Sequence, residues 1–316
     1  MVIVSVVQDE NVEQAVQKAI KLIGGIESVV SSGDSILIKP NLVTAMPPEG
    51  GMTTDPLVVQ AVIELCRSMN PSSLIIADGS ATVDTRVAFK KCGYSEFASK
   101  YDIELVDLNE SPTTTTEVPE GKGVQSFEIP NVLRDADVII NIPKLKLYRH
   151  DVWASLAIKN LVGAVPGLGF FTDEPVSNQS LDMTPELYKP DGKWYLPHYK
   201  RYFNPGGEKE RLHRSLAESI VDLATVVKPS LNVIDGMMLC RDPDLTHYDP
   251  KPAQLNTILA GTDYLAVDCV GVQIAGRSPS EIPYLKCAVE RGIGESDYSQ
   301  IEVVGSPLDK IAKEWN

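Results

Sequence analysis

The chain is predicted to be an α/β protein, built on a mostly parallel sheet with helices on both faces and carrying one long irregular insertion. Three observations lead there. Short β-branched runs alternate with segments whose apolar residues recur at helical spacing. One of those runs, DVIINI at 137–142, is dense in β-branched residues, as a buried parallel strand is. Residues 168–210 show neither period and are rich in Pro, Gly, Tyr and Trp. At 316 residues and 34.5 kDa the chain can bury a large core, and one domain over 1–316 with the insertion at 168–210 is the expected organisation.

Taken in order, Val2 to Val7 is a strand and Val12 to Ile23 a helix, and a strand from Ser35 to Ile38 runs into Lys39-Pro40-Asn41-Leu42. Asp55 is placed to cap a helix from Pro56 through Arg67, because its carboxylate can accept free N–H groups of the first turn. Leu74 to Ala77 is the next strand and gives way to Asp78-Gly79-Ser80. A helix around Arg86 to Cys92, a strand at Ile103 to Val106 and a polar threonine-rich loop near Thr113 to Thr116 follow. The strand Asp137 to Ile142 should end at Pro143, and a helix carrying Lys159 and Asn160 should stop at Gly163, Pro166 and Gly167. Trp194, Tyr195 and Tyr199 of the insertion call for packing, over a pocket or a homo-oligomer interface. Beyond it come a helix at Arg211 to Val227, a strand at Leu231 to Ile234 ending at Asp235-Gly236, and a strand at Leu255 to Ala260. Thr262-Asp263 caps an apolar helix to Ala275, Ser280 to Arg291 is helical, and Ile301 to Val304 is the last strand.

Acids outnumber bases 43 to 29, for a net charge of −14 and a pI near 4.8, so no nucleic-acid partner is expected. No run of eighteen apolar residues occurs, and Met1 leads directly into VIVSVVQDE; a cytoplasmic protein without membrane contact is the expectation. The five cysteines include no pair spaced for chelation, so neither a disulfide framework nor an iron–sulfur cluster of its own is expected. Cys66, Cys269 and Cys287 fit core positions, whereas Cys240 reads as a loop thiol beside Arg241. His150, His198, His213 and His247 are scattered, so a divalent metal would need residues brought together by folding, with His150 and Asp235 as candidates.

Polar residues gather where strands end: Lys39 and Asn41, Asp78 and Ser80, then Lys144 and Lys146 followed by Tyr148, Arg149 and His150. Open α/β sheets bind ligands in the crevice beyond the carboxyl ends of their strands. Lys39, Asn41, Ser80, Lys144, Lys146 and Asn160 are therefore candidates for holding a small anion, and His150, Asp78 and Lys159 for moving a proton. A blander reading makes Lys144 and Lys146 solvated surface charges, and Asp78-Gly79 and Asp235-Gly236 ordinary turn chemistry. Lys159, among Leu156, Ile158 and Leu161, is expected to point inward or toward a ligand rather than into solvent. Asp268 sits in the apolar stretch Tyr264 to Ile274 and needs a partner, either a backbone terminus or a lysine such as Lys159.

IKPNL at 38–42, TTDP at 53–56, ADGS at 77–80, DADVIINIPKLK at 135–146, SLAIKNLVGAVPG at 155–167, KPSLNVIDG at 228–236 and AGTDYLAVDCVG at 260–271 together resemble the domain of unknown function 362 family, in order over nearly the whole chain. The resemblance implies an association with iron–sulfur or ferredoxin-like segments, which for this chain would be a partner protein. After the IDG strand the family's glycine- and glutamate-rich stretch is replaced by MMLCRDPDLTHYDPKP. The strand, basic residues, lysine-bearing helix and proline–glycine stop are also similar to part of the lactate racemase family, where such a lysine holds a nickel pincer cofactor and would correspond to Lys159. That local similarity bears on architecture and site position.

Three functional readings stay open. The first is an enzyme, isomerase- or racemase-like or another proton-transfer catalyst, acting on a small carboxylate- or phosphate-bearing substrate. The second is a non-catalytic accessory or redox partner of an iron–sulfur protein. The third is a metal-binding protein using His150 with Asp78 or Asp235.

Overall fold

The computed structural model describes residues 1–81, 83–147, 154–166, 208–241 and 251–312, without the side chains of 208–215, 241 and 251. Its strands are β1 (Val2–Gln8), β2 (Ser35–Pro40), β3 (Ser73–Asp78), β4 (Glu104–Asp107), β5 (Thr113–Glu117), β6 (Ser126–Pro130), β7 (Val138–Ile142), β8 (Lys144–Leu147), β9 (Ala154–Ser155), β10 (Leu231–Arg241), β11 (Lys251–Gly261) and β12 (Ile301–Gly305). The main sheet runs β12-β1-β11-β10-β7-β2-β3-β4, with β8 paired to β10 and β9 to β8. It is mixed but mostly parallel: β11 is antiparallel to both β1 and β10, β9 is antiparallel to β8, and all other neighbours are parallel.

Alternation along the central strands divides the core between two faces. Ile36, Ile38, Ile76 and Ile140 pack toward helices Val12–Leu22 and Pro56–Arg67 on one side. On the other, Leu37, Ala77 and Ile234 pack with residues of helices Glu208–Val226, Tyr264–Ile274 and Pro283–Arg291. Helices thus cover both faces, as the alternating pattern requires. Asp55 caps its helix through the Leu57 amide, and Asp263 caps helix Tyr264–Ile274 through the Ala266 amide, both at the expected places. Among the described residues no helix is long and apolar enough to cross a membrane.

Several elements differ from the sequence reading. Thr113–Thr116 is not a loop but strand β5, paired antiparallel with β6, since threonines suit a strand with an exposed face. Helix Tyr94–Tyr101, short and started by the left-handed Gly93, was not legible from its period. β10 does not end at Asp235-Gly236 but continues to Arg241 with an irregularity between Gly236 and Met238, so turn chemistry is the wrong account of Asp235. Cys240 accordingly lies buried in a strand rather than in a loop, and Cys287 is half-buried rather than core. Tyr148, Arg149 and His150, nearly all of the insertion with Trp194, Tyr195 and Tyr199, and the side chains of all four histidines lie outside the described residues.

Beside the apolar packing of Val124, Phe127 and Ile129, a buried carboxylate ties the turn of the β5–β6 ribbon to the helical layer. Asp222 accepts from the amides of Lys122 (3.0 Å), Gly123 (2.6 Å) and Val124 (2.9 Å) and from Arg291 Nη1 at 2.7 Å. Removing it strands a largely buried guanidinium and three donors, so Asp222→Ala should cost about 3–5 kcal/mol, read as a lowered urea midpoint. A midpoint within error of wild type would show the ribbon to be held otherwise.

Candidate active site

β2, β3 and β7 lie side by side and end together, at Pro40, Asp78 and Ile142. After Pro143 the chain continues as β8 alongside β10, with Lys144 opposite Asp235 and Lys146 opposite Cys240. Here the blander reading of the lysines fails: Lys144 and Lys146, like Lys39, are buried.

Two of these amines have carboxylate partners. Lys39 Nζ donates to Asp78 Oδ1 at 2.6 Å, joining β2 to β3, and Asp78 Oδ2 accepts from the Leu42 amide at 2.6 Å. Lys144 Nζ donates to Asp235 Oδ2 at 2.9 Å, and Asp235 also accepts from the amides of Asp55 (2.8 Å) and Met237 (3.0 Å). In both carboxylates each oxygen is engaged, as buried anions require. Asp55 lies near this pair, and burial, followed by repulsion from Asp235, raises its carboxyl above the usual range.

Lys146 is different. Its ammonium donates to Asn41 Oδ1 and, at 3.1 Å, to the Met52 carbonyl, two neutral acceptors, and among the described residues it makes no ion pair. Burial pushes it down to about 7; Lys159 and Lys144 push the same way, while Cys240 and Asp78 oppose them. Lys159 is half-buried at the surface of helix Ala157–Asn160, and desolvation lowers its ammonium to about 8.

The surrounding loops are fixed by groups that the sequence reading did not single out. Thr54 Oγ1 accepts from the Asn41 amide (2.9 Å) and donates to the Ile142 carbonyl (2.7 Å), while Tyr94 Oη donates to the Thr54 carbonyl at 3.0 Å. Beneath helix Ala157–Asn160, Asn141 Nδ2 donates to Asn232 Oδ1 (2.9 Å) and to the Ala157 carbonyl (3.0 Å), and Asn141 Oδ1 accepts from Asn160 Nδ2 at 2.8 Å. An asparagine inside the apolar run VIINI was the available signal, because a buried amide demands partners. Gly163 closes over the first ion pair: a Cβ there would lie 2.7 Å from Asp78 Oδ1 and 2.9 Å from Lys39 Nζ. Asp268 is not paired with Lys159. It accepts from the amides of Ala157 (2.6 Å) and Ile158 (3.0 Å), the backbone-terminus alternative, and burial raises its carboxyl to about 8.

The structure therefore brings Lys39, Asn41, Asp78, Ser80, Lys144, Lys146, Lys159, Asn160 and Asp235 to one end of the sheet. No three His, Cys, Asp or Glu side chains among the described residues converge as metal ligands, and His150 is not among those residues.

A family model described as domain of unknown function (DUF362) matches residues 36–273, a span that includes every one of these groups. The chain belongs to that family. A 293-residue alignment with the thylakoid-associated protein sll1697 of Synechocystis sp. shows 25% identity and covers 93% of this chain and 79% of that protein. Among solved structures, the lactate racemase apoprotein from Thermoanaerobacterium thermosaccharolyticum is 14% identical with a TM-score of 0.46, over 89% of this chain. A Thermotoga maritima protein is 11% identical with a TM-score of 0.41, over 90%. The DUF362 chain spans 58% and 60% of those two solved chains.

The Lys146 environment has a consequence for stability. Its ammonium titrates near 10.5 when unfolded and about 7 when folded, so between those values the unfolded chain binds the extra proton and stability rises with pH. Lys146→Met removes that contribution. Wild type should gain stability relative to the variant from pH 7 to pH 10, as measured by urea midpoints; a constant difference would place the amine in water.

Proposed function

We propose that the DUF362 chain is an enzyme that holds a small carboxylate- or phosphate-bearing substrate at the carboxyl ends of β2, β3, β7 and β8 and moves a proton on it. The observation that carries this reading is the Lys146 ammonium, which among the described residues is buried against two neutral acceptors and no carboxylate. An ammonium removed from water without a counter-charge is costly by several kcal/mol, and a bound anion beside it offsets that cost. Lys39 and Lys144 are already compensated by Asp78 and Asp235, so their pairs hold the strand ends while Lys146 meets the ligand, with Lys159 nearby.

For proton transfer, Asp78 has both oxygens engaged and serves better as scaffold. Lys159, with an ammonium lowered to about 8, is partly neutral near physiological pH and can take a proton from substrate and return it. His150, a few residues beyond β8, is the second group assigned to this step.

Titration calorimetry with inorganic phosphate and with acetate, at pH 6 and pH 9, tests the reading. An anion prefers the protonated amines, so affinity should be highest at pH 6 and fall as pH rises through about 7 and 8. Lys146→Met should weaken binding about tenfold or more at pH 6, and Lys159→Met should weaken it with the fold intact. If no anion binds wild type, the lysine cluster is scaffold and the docking of an iron–sulfur partner becomes the better account.

A further inference from the structure

Two buried polar atoms at the same end of the sheet have no hydrogen-bond partner among the described residues: Ser80 Oγ and Asn160 Oδ1. Such atoms are uncommon in folded proteins and each calls for an explanation. For Asn160 the orientation of the amide is fixed by its surroundings. Its Nδ2 donates to the Pro40 carbonyl (3.3 Å) and to Asn141 Oδ1 (2.8 Å). Asn141 in turn cannot be reversed, because its Nδ2 serves the Ala157 carbonyl. Backbone carbonyls only accept, so turning either amide over would set oxygen against oxygen. Asn160 must therefore present its carbonyl oxygen, an acceptor awaiting a donor.

The place of these atoms connects them to the anion site. Pro40 and Asn41 are consecutive residues; the first accepts from both Asn160 and Lys39, and the side chain of the second accepts from Lys146. Ser80 follows Gly79, whose amide donates to the Gly163 carbonyl at 3.0 Å, so the β3 end and the segment after helix Ala157–Asn160 are joined directly above the ion pair. An anion held by Lys146 and Lys159 would need donors for its oxygens, which a serine hydroxyl supplies. It would not need an acceptor. An acceptor at that spot suits a ligand that also brings a hydrogen.

We propose that Asn160 Oδ1 and Ser80 Oγ make the site selective for an oxyanion that carries a hydroxyl group, over one of similar size that has none. This inference rests on the anion-site reading above and deepens it. The hydroxyl is either on the oxyanion itself, as in hydrogen phosphate, or on the carbon next to a carboxylate. In both cases it donates to Asn160 while the charged oxygens accept from Ser80 and the lysines. A site built to hydrogen-bond a ligand hydroxyl rejects the analogue lacking it strongly, because its own polar group is left unpaired.

Calorimetry on the full chain at pH 7 with two matched pairs of probes decides the matter. Hydrogen phosphate has a hydroxyl and sulfate none; glycolate has one and acetate none. The expected result is a preference of about tenfold or more within one pair, and the pair that shows it locates the hydroxyl. Asn160→Leu should bring that ratio close to one, which a merely structural loss, weakening both probes alike, would not do. Ser80→Ala removes an atom without a partner, so it should leave the urea midpoint unchanged or raised while lowering affinity for the preferred probe about tenfold. Equal affinities within both pairs, or a ratio that survives Asn160→Leu, would overturn the proposal while Lys146-dependent binding leaves the anion site standing. Should Asn160→Leu not fold, the wild-type ratios together with Ser80→Ala still decide, and absence of binding by all four probes overturns both readings.

Discussion

Removing an ammonium or a carboxylate from water costs several kcal/mol, and that constraint shapes the carboxyl end of this sheet. Lys39, Lys144, Lys146, Asp78 and Asp235 are all buried there. Two lysine–aspartate pairs meet the constraint, and each joins neighbouring strands: Lys39–Asp78 links β2 to β3, and Lys144–Asp235 links β8 to β10. A register slip of one residue in either would leave two unpaired charges in the core, so the pairs specify the alignment of the strand ends as well as their neutrality. The remaining amine, Lys146, is met among the described residues by dipoles, and its lowered ammonium expresses the unmet part of the same constraint.

Amides extend the ordering inward. Asn232, Asn141 and Asn160 form a chain with one direction, Asn160 Nδ2 donating to Asn141 Oδ1 and Asn141 Nδ2 to Asn232 Oδ1, anchored by the backbone carbonyls of Ala157 and Pro40. Because every member but the last is satisfied, the network rigidifies the layer between sheet and helix. Gly163 lets that layer approach the Lys39–Asp78 pair, where any side chain would collide with both charged groups. Close approach of backbone to a buried ion pair excludes water and leaves the orientation of the neighbouring polar groups to the protein alone.

Much of this was visible in the sequence, for a physical reason. Strand ends are marked by proline and by a change from β-branched to charged residues, so Lys39, Asp78, Lys144 and Lys146 could be placed at one end of the sheet from spacing alone. Which charge meets which was not legible. Lys39 and Asp78 are 39 residues apart, and Lys144 and Asp235 are 91 apart, so only the tertiary fold pairs them. Asp235-Gly236 has the composition of a turn and becomes strand interior because β11 and β8 flank it, an instance of pairing overriding local propensity. Thr113–Thr116 was misread for the converse reason: polarity suggested a loop where β-branching and a partner strand make a ribbon.

Helix Ala157–Asn160 shows how far the site depends on distant groups. Four residues are too few to be helical unaided, since nucleation alone is unfavourable. Its first amides, those of Ala157 and Ile158, are held by Asp268 from helix Tyr264–Ile274, and its first carbonyl, that of Ala157, by Asn141 from the sheet. The positions of Lys159 and Asn160 are thus set by two side chains that reach the helix from opposite layers. Asp268 holds these amides best as a carboxylate, yet burial raises its carboxyl to about 8, so near neutral pH desolvation and the two N–H groups pull in opposite directions. Lys159 and Asn160 lie at the other end of the same short helix, so any proton gained or lost by Asp268 alters the support beneath Lys159. The protonation state of Asp268 is therefore coupled through one turn of backbone to the position of Lys159.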